Sequence, residues 1–266
     1  MSRRSIAVLV LVSLVALSGC AGLLGPDVSP TPGPNTTATP QTPTGTGHQL
    51  PLNGTAVLDA HQSALEHAGS FRYQVNATKR FHNTTIPPIS TNKTVRRNDS
   101  SGATWSVVLN SLGPSRETYL DGDGNAYQVR QRNASHIVYG TTGTNAINFS
   151  TLYRPPIGRY LAGLNFSYQG TTTIDGHTVD TYTVHNMSQV DRSNHGLEEI
   201  STANLDSLDV TLRIDRDGLV RSFEYRAVGS NRQGDTVGFS LSLRYTDVGS
   251  TTVPRPTWVD RAASGQ

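Results

Sequence analysis

One residue in this chain has a type and a setting that together define a reaction. Cys20, the sole cysteine in 266 residues, follows Leu17-Ser18-Gly19 at the end of an apolar N-terminal run. A thiol behind small residues and an export signal reads as a lipobox: the sulfur takes a lipid, and Cys20 becomes the mature N-terminus. A two-chain lipid holds a protein firmly on a membrane, where one chain holds it marginally. A lone cysteine also excludes an internal disulfide.

No other group of side chains passes a comparable test. His61, His67, His82, His136, His177, His185 and His195 are scattered without metal-ligand spacing, and neither G-x-S-x-G nor H-E-x-x-H occurs. Asp121-Gly122-Asp123-Gly124-Asn125 begins like a calcium loop, but Ala126 and Arg132 stand where that loop needs Gly and Glu. A hairpin turn accounts for it, and another, around Asp175-Gly176, accounts for the proximity of Asp175, His177 and Asp180. The sequence therefore predicts no catalytic residue, no metal, no cofactor and no enzyme.

The segments around Cys20 set its context. Residues 1–19 have a charged head (Arg3-Arg4), about twelve apolar residues and a small-residue exit, as in a signal peptide. That run is too short to span a bilayer, which takes about 20 residues. Ser2-Arg3-Arg4-Ser5-Ile6 resembles the twin-arginine signature without its Phe or trailing Lys, so both export routes stay open. Residues 20–53 hold the lipidated cysteine and a Pro/Thr-rich tether with too few apolar groups to order itself. As a coil the tether reaches roughly 30 Å. The formal charge of +2 belongs to the signal: without Arg3 and Arg4, the 22 basic residues become 20, against 20 acidic ones. A near-neutral chain has no footprint for nucleic acid.

Asparagine carries the second signal. Ten of the sixteen asparagines open an Asn-x-Ser/Thr sequon, where chance would give about three or four. Asn35, Asn53, Asn76, Asn83, Asn92, Asn98, Asn133 and Asn186 are the N-glycosylation candidates. Asn148 and Asn165, each followed by Phe, flank a helical segment and are expected to be partly buried. Glycosylation requires exposure outside the cytoplasm.

Residues 54–260 form the folded domain, followed by a tail at 261–266. A helix is expected over 55–69, capped by Asn53 or Thr55 and ended by Gly69. Phe71, Tyr73, Val75, Ala77 and Phe81 then alternate with polar residues, which predicts a half-buried strand. Trp105, Val107 and Leu109 mark another strand, with shorter ones through 140. Residues 151–165 return to helical spacing, with Ile157, Tyr160, Leu161 and Leu164 as the stripe. Residues 193–205 could hold a short helix or an ordered loop. The segment 208–245 reads as a three-strand meander whose apolar set includes Phe223, Tyr225, Phe239 and Leu241, and Trp258 as a lid over one sheet end. The expectation is an α+β fold: a curved, unclosed antiparallel sheet of about ten strands, a half-barrel, with helices on its concave side. Phe71, Tyr73, Val75, Trp105, Val107, Leu109, Leu161, Leu164, Phe223, Tyr225, Phe239 and Leu241 would share the apolar inner surface.

With its lipobox, Thr/Pro tether, antiparallel meander and terminal Tyr245-Thr246-Asp247-Val248-Gly249 … Pro256-Thr257-Trp258, the chain resembles uncharacterised surface lipoproteins of halophilic archaea. More remotely, the order of elements is similar to the LolA/LolB and LppX/LprG lipoproteins. That resemblance implies a half-barrel whose apolar cavity binds lipid, and it transfers no residue. Two functions follow as expectations: an extracytoplasmic, lipid-anchored protein that binds or carries an apolar ligand, or a non-catalytic surface protein with a filled core. The mature chain is expected to begin at Cys20 and to carry the mass of a two-chain lipid there, as read by mass spectrometry of the N-terminal peptide; a free thiol at Cys20 or a different mature N-terminus would contradict the lipobox reading.

Overall fold

The computed structural model describes residues 49–265, apart from positions 83, 134, 196–199, 201–203 and 232. Cys20 and the sequons at Asn35 and Asn83 lie outside the described residues, as do the signal segment and most of the tether.

Helix α1 (Gly54–Ala68) opens the fold. The Asn53 side chain accepts from the backbone N–H groups of Thr55 and Ala56, at 3.0 and 3.1 Å, which satisfies donors that the first turn leaves free. Gly69 ends the helix at φ 67, a conformation that favours a residue without Cβ. Val57, Leu58, His61 and Leu65 recur at three- and four-residue spacing and are the face it buries.

Six strands follow: β1 (Ser70–Phe81), β2 (Ile89–Asn98), β3 (Thr104–Asn110), β4 (Ser115–Leu120), β5 (Ala126–Asn133) and β6 (His136–Thr142). A crossing segment carries two single helical turns, α2 (Ser150–Tyr153) and α3 (Gly158–Leu161). Then come β7 (Ser167–Ile174), β8 (His177–Val184), β9 (Leu205–Asp215), β10 (Val220–Ser230), β11 (Thr236–Thr246) and a last short helix, α4 (Val259–Ala263). All eleven strands join one antiparallel sheet in the order β6-β5-β4-β3-β2-β1-β11-β10-β9-β8-β7. The chain enters at the middle, runs out to one edge, crosses, and returns from the other edge to pair β11 with β1. The edges β6 and β7 do not pair with each other, so the sheet is unclosed. Arg244 on β11 reaches Asp175 in the β7–β8 turn at 2.7 Å, so that hairpin folds back over β9 and β10. That exposed pair marks geometry more than stability, since such pairs contribute about 0–1 kcal/mol.

Two expectations need correction. The single helix over 151–165 is instead α2 and α3, because Arg154 precedes Pro155-Pro156. A residue before proline is pushed from the helical region, and Arg154 sits at φ -127, ψ 79. Ile157, Tyr160, Leu161 and Leu164 are nevertheless buried. The fold also runs past position 260, since α4 continues to Ala263. For the segment 193–205, positions 196–199 and 201–203 lie outside the described residues.

The main core lies between α1–α3 and the inner face of β1 and β8–β11. Phe71, Tyr182, Phe223, Tyr225 and Tyr245 are fully buried there, each contributing roughly 1.5–3 kcal/mol of apolar transfer. Tyr160 packs against Phe223, Tyr225 and Phe239 with ring centroids 5.0–6.3 Å apart. His61 stands edge-on to Tyr245 at 4.6 Å, and its Nδ1 accepts the Val220 N–H at 3.2 Å. That bond places the ring proton on Nε2, which is buried without a partner.

Burial lowers the His61 pKa to about 3, so the folded state keeps the ring neutral. The unfolded chain binds the proton below about pH 6.5, and stability is lost as pH falls from there toward 3. Between pH 7 and pH 5 this one group should cost about 2 kcal/mol, at 1.36 kcal/mol per pH unit. His61→Leu leaves the Val220 N–H unsatisfied and lowers stability at pH 7 by about 1–3 kcal/mol. Its deficit relative to the natural chain should shrink by about 2 kcal/mol at pH 5, as read from urea unfolding at both pH values; a deficit independent of pH would refute this.

Candidate ligand-binding site

The register shows which side chains share a face. Phe223, Leu243, Val75, Lys93, Val108, Arg116, Arg130 and Val138 are successive partners from β10 to β6, and form one row across the inner face. The next row runs Tyr245, Tyr73, Val95, Ser106, Thr118, Gln128 and Gly140. Both rows are apolar near β11 and β1 and become polar over β3–β5. Ser106, Thr118 and Gln128 are buried all the same.

The outer face has the opposite distribution. Over β1 and β9–β11 it presents Gln74, Asn76, Arg213, Glu224, Ser242 and Arg244. Over β3–β6 it presents Trp105, Val107, Leu109, Tyr119, Tyr127, Val129 and Tyr139. Trp105 pairs with Arg96, which pairs with Arg72, and so it lies opposite Tyr73. The expectation that Trp105, Val107 and Leu109 join the inner apolar surface is therefore wrong: the sheet changes which face is apolar about halfway across. Phe71, Tyr73, Val75, Phe223, Tyr225, Phe239 and Leu241 do share the inner face. Phe71, Tyr73, Phe223, Tyr225 and Phe239, with Leu161 and Leu164, are core side chains at 0–8% exposure. Val75 and Leu241 are only partly buried against that core, as is Phe81.

The C-terminal segment covers the aromatic part of the outer face. Trp258 Nε1 donates to Glu117 Oε2 at 2.9 Å and Trp105 Nε1 to the same oxygen at 3.3 Å. Arg261 stacks over Tyr139 at 4.4 Å and Arg255 over Tyr127 at 5.7 Å. Trp258 is thus a lid on the outer face, held by a carboxylate.

Three cavities differ in chemistry. One of about 640 Å³ lies on the outer face under the β7–β8 hairpin, and both of its arginines are paired: Arg213 with Glu224 at 3.2 Å, Arg244 with Asp175. A second, of about 210 Å³, lies beside Trp258 among Leu109, Val129, Ile137 and Tyr139. The third, of about 320 Å³, opens on the inner face and is lined by Val108, Asn110, Pro114, Ser115, Arg116 and Arg130. Lys93 adjoins it in the row, with its pKa lowered by burial and then by Arg116. These cationic residues were missed in the sequence because each sits on a different strand; the one hint was that the chain's two lysines, Lys79 and Lys93, fall in strands.

The two buried histidines, His61 and His195, do structural work. His195 Nδ1 donates to the Ala162 carbonyl and Nε2 accepts from the Tyr225 hydroxyl, both at 2.8 Å, and burial lowers its pKa. Among the described residues no three of His, Cys, Asp and Glu gather as metal ligands, and no helix is long and apolar enough to cross a membrane.

Of the sequons, Asn53, Asn76, Asn92, Asn133 and Asn186 are exposed, and so are Asn148 and Asn165, contrary to the burial expected for those two. Asn98 is partly buried, and its Nδ2, the atom a glycan would take, donates to the Thr251 carbonyl at 2.9 Å.

A model described as a family of unknown function, DUF7537, matches residues 5–262, and the chain belongs to that family. No curated protein matches. Among solved structures the chain is similar to LprF from Mycobacterium bovis, at 16% identity and TM-score 0.36, over 76% of this chain and 96% of that one. It is similar to the lipoprotein LppX from Mycobacterium tuberculosis, at 15% and 0.32, over 77% and 99%. A LolA superfamily protein from Nitrosomonas europaea aligns at 10% and 0.24, over 77% and 96%.

The shared carboxylate gives a clean optical test, because Trp105 and Trp258 are the chain's two tryptophans. Glu117→Leu removes the acceptor of both indoles and should cost about 1–3 kcal/mol. It should also red-shift the tryptophan emission as Trp258 loosens, whereas Glu117→Gln, which keeps an acceptor, should restore most of both. An unchanged spectrum and melting temperature in Glu117→Leu would show that α4 docks without it.

Proposed function

We propose that this member of the DUF7537 family is a lipoprotein anchored through Cys20 on the extracytoplasmic face of the cell membrane, and that it holds an amphipathic, lipid-like ligand on the open part of its inner sheet face. The observation that carries the reading is the incomplete cover of that face. Helices α1–α3 fill the half over β1 and β8–β11. At its margin stand Val75, Phe81 and Leu241, partly buried against the core, and beyond it Ile89 at 37% and Val138 at 49% exposure. Apolar side chains left at the margin of a core are where an acyl chain gains most from burial. The cavity of about 320 Å³ beside them is of the size that ligand sites begin at. The tether would keep the domain within reach of the membrane.

A second reading is favoured by a different surface. Leu109, Leu112 and Ile137 are 44–54% exposed near the cavity beside Trp258, as in a surface lipoprotein that contacts another protein and carries no small ligand.

Titration of the purified full-length protein with monolauroylglycerol, a neutral single-chain amphiphile, separates the two. Saturable binding is expected, weakened at least about tenfold by Ile89→Asp, which sets a carboxylate against the acyl chain at the margin of the core. Ile89 is exposed, so this variant should leave the melting temperature within a few degrees. No saturable binding by the natural chain would leave the second reading.

A further inference from the structure

The inner row over β2–β5 holds charge that the fold does not neutralise. Arg116 and Arg130 are direct register partners on β4 and β5, and Lys93 lies two strands away on the same row. At about 4.8 Å per strand, the three cations fall within roughly 15 Å. Like charges placed directly opposite destabilise a sheet. Among the described residues, none of the three has a carboxylate within 4.0 Å, whereas Arg97, Arg154, Arg213, Arg221, Arg244 and Arg255 do. The register places no Asp or Glu on the inner face of β2–β6.

The surroundings hold two of these cations, Arg130 and Lys93, in place, while Arg116 is exposed. The Nε of Arg130 donates to Gln128 Oε1, and Gln128 Nε2 donates to Thr118 Oγ1 at 3.3 Å. Gln128 and Thr118 are buried, so this guanidinium is fixed at Nε while its terminal nitrogens stay free among the described residues. Lys93 Nζ stands 5.8 Å from the Tyr73 ring centroid, at the border with the core. Arg116 and Arg130 both line the inner-face cavity.

We infer that Lys93, Arg116 and Arg130 form an anion site that takes the phosphate- or sulfate-type headgroup of an amphiphile, whose chain lies along Val75, Leu241 and Phe81. The face supplies both halves of that ligand's chemistry, because the partly buried Val75 and Leu241 at the core margin lead to Lys93 and then to the two arginines. Guanidinium groups suit a tetrahedral oxyanion, to which they offer paired N–H donors, and Lys93 adds a point charge at the apolar border. This inference rests on the amphiphile reading above and narrows it to anionic ligands.

The test uses the full-length protein and three probes: dodecyl phosphate below its micelle concentration, monolauroylglycerol of the same chain length, and inorganic phosphate. Dodecyl phosphate should bind at least about tenfold more tightly than monolauroylglycerol. Lys93→Gln/Arg116→Gln/Arg130→Gln should abolish that preference and leave monolauroylglycerol binding unchanged. Arg80→Gln/Arg226→Gln, at exposed outer-face positions, should change neither and controls for net charge. Equal affinity of the natural chain for the two amphiphiles overturns the anion site and leaves the amphiphile reading standing. Inorganic phosphate binding as tightly as dodecyl phosphate, and lost in the triple variant, overturns the amphiphilic ligand and leaves a free-anion site. Absence of binding by all three probes overturns both.

Discussion

The ladder between β1 and β11 is the constraint on which the rest depends. Every other neighbouring pair in the sheet is also adjacent in sequence; this one joins the two ends of the folded chain. The seam continues beyond the ladder. Thr251 N–H donates to Ser70 Oγ across 181 positions, and Gly249 N–H donates to the Ser70 carbonyl. Closing so long a loop costs entropy before any contact repays it, and makes the topology a slow one to assemble. The offset is concentrated at the seam, where Phe71, Tyr73, Leu243 and Tyr245 are buried and His61 caps the ring of Tyr245. Once the seam forms, α1, which leads into β1, covers the inner face. The segment after β11 passes to the outer face and ends in α4.

Much of this was legible in the residues. Asn53 and Gly69 bracket α1 because capping is local chemistry, and the alternation through 208–245 showed three strands because a half-buried strand must alternate. The face reversal was not legible. Alternation says that Trp105, Val107 and Leu109 share a side; it does not say which side faces the helices. That depends on the pairing of Trp105 with Arg96 rather than Val95, which is a matter of register between strands. The natural assumption puts aromatic residues inside, and it fails here because a five-residue helix with little period of its own, α4, covers them from the other side. The cluster of cations was hidden for the same reason. Lys93, Arg116 and Arg130 look like ordinary polar positions until the register aligns them.

The reversal also accounts for a composition that is only 35% hydrophobic over an eleven-strand sheet. A sheet covered on one face along its whole width would need one long core. Here the core lies on the inner face of one half, a partly covered aromatic patch lies on the outer face of the other, and each half of the sheet keeps a polar side. On the inner polar side Thr104, Ser106, Thr118 and Gln128 are buried by neighbours and by hydrogen bonds such as Arg97 to Thr104 and Gln128 to Thr118. Buried hydroxyls and amides hold that surface in one arrangement only if their partners are present. A polar surface of this kind gives charged neighbours a fixed setting, where a greasy one would expel them.

The sequons bear on which surface remains open. Asn76 and Asn92 are direct register partners on the outer face of β1 and β2, both exposed. Their Cβ atoms stand about 5 Å apart by the geometry of such pairs, so two full glycans there would crowd each other. Even one glycan would shield the outer face beside the seam. Lys93, one residue from Asn92, points to the other side of the sheet because successive side chains of a strand alternate. Glycan cover on the outer face and a ligand on the inner face are therefore compatible demands on one strand. The two-residue period that places Asn92 outside is what keeps Lys93 inside, so the dense sequons and the unneutralised cations occur in the same short stretch without interfering.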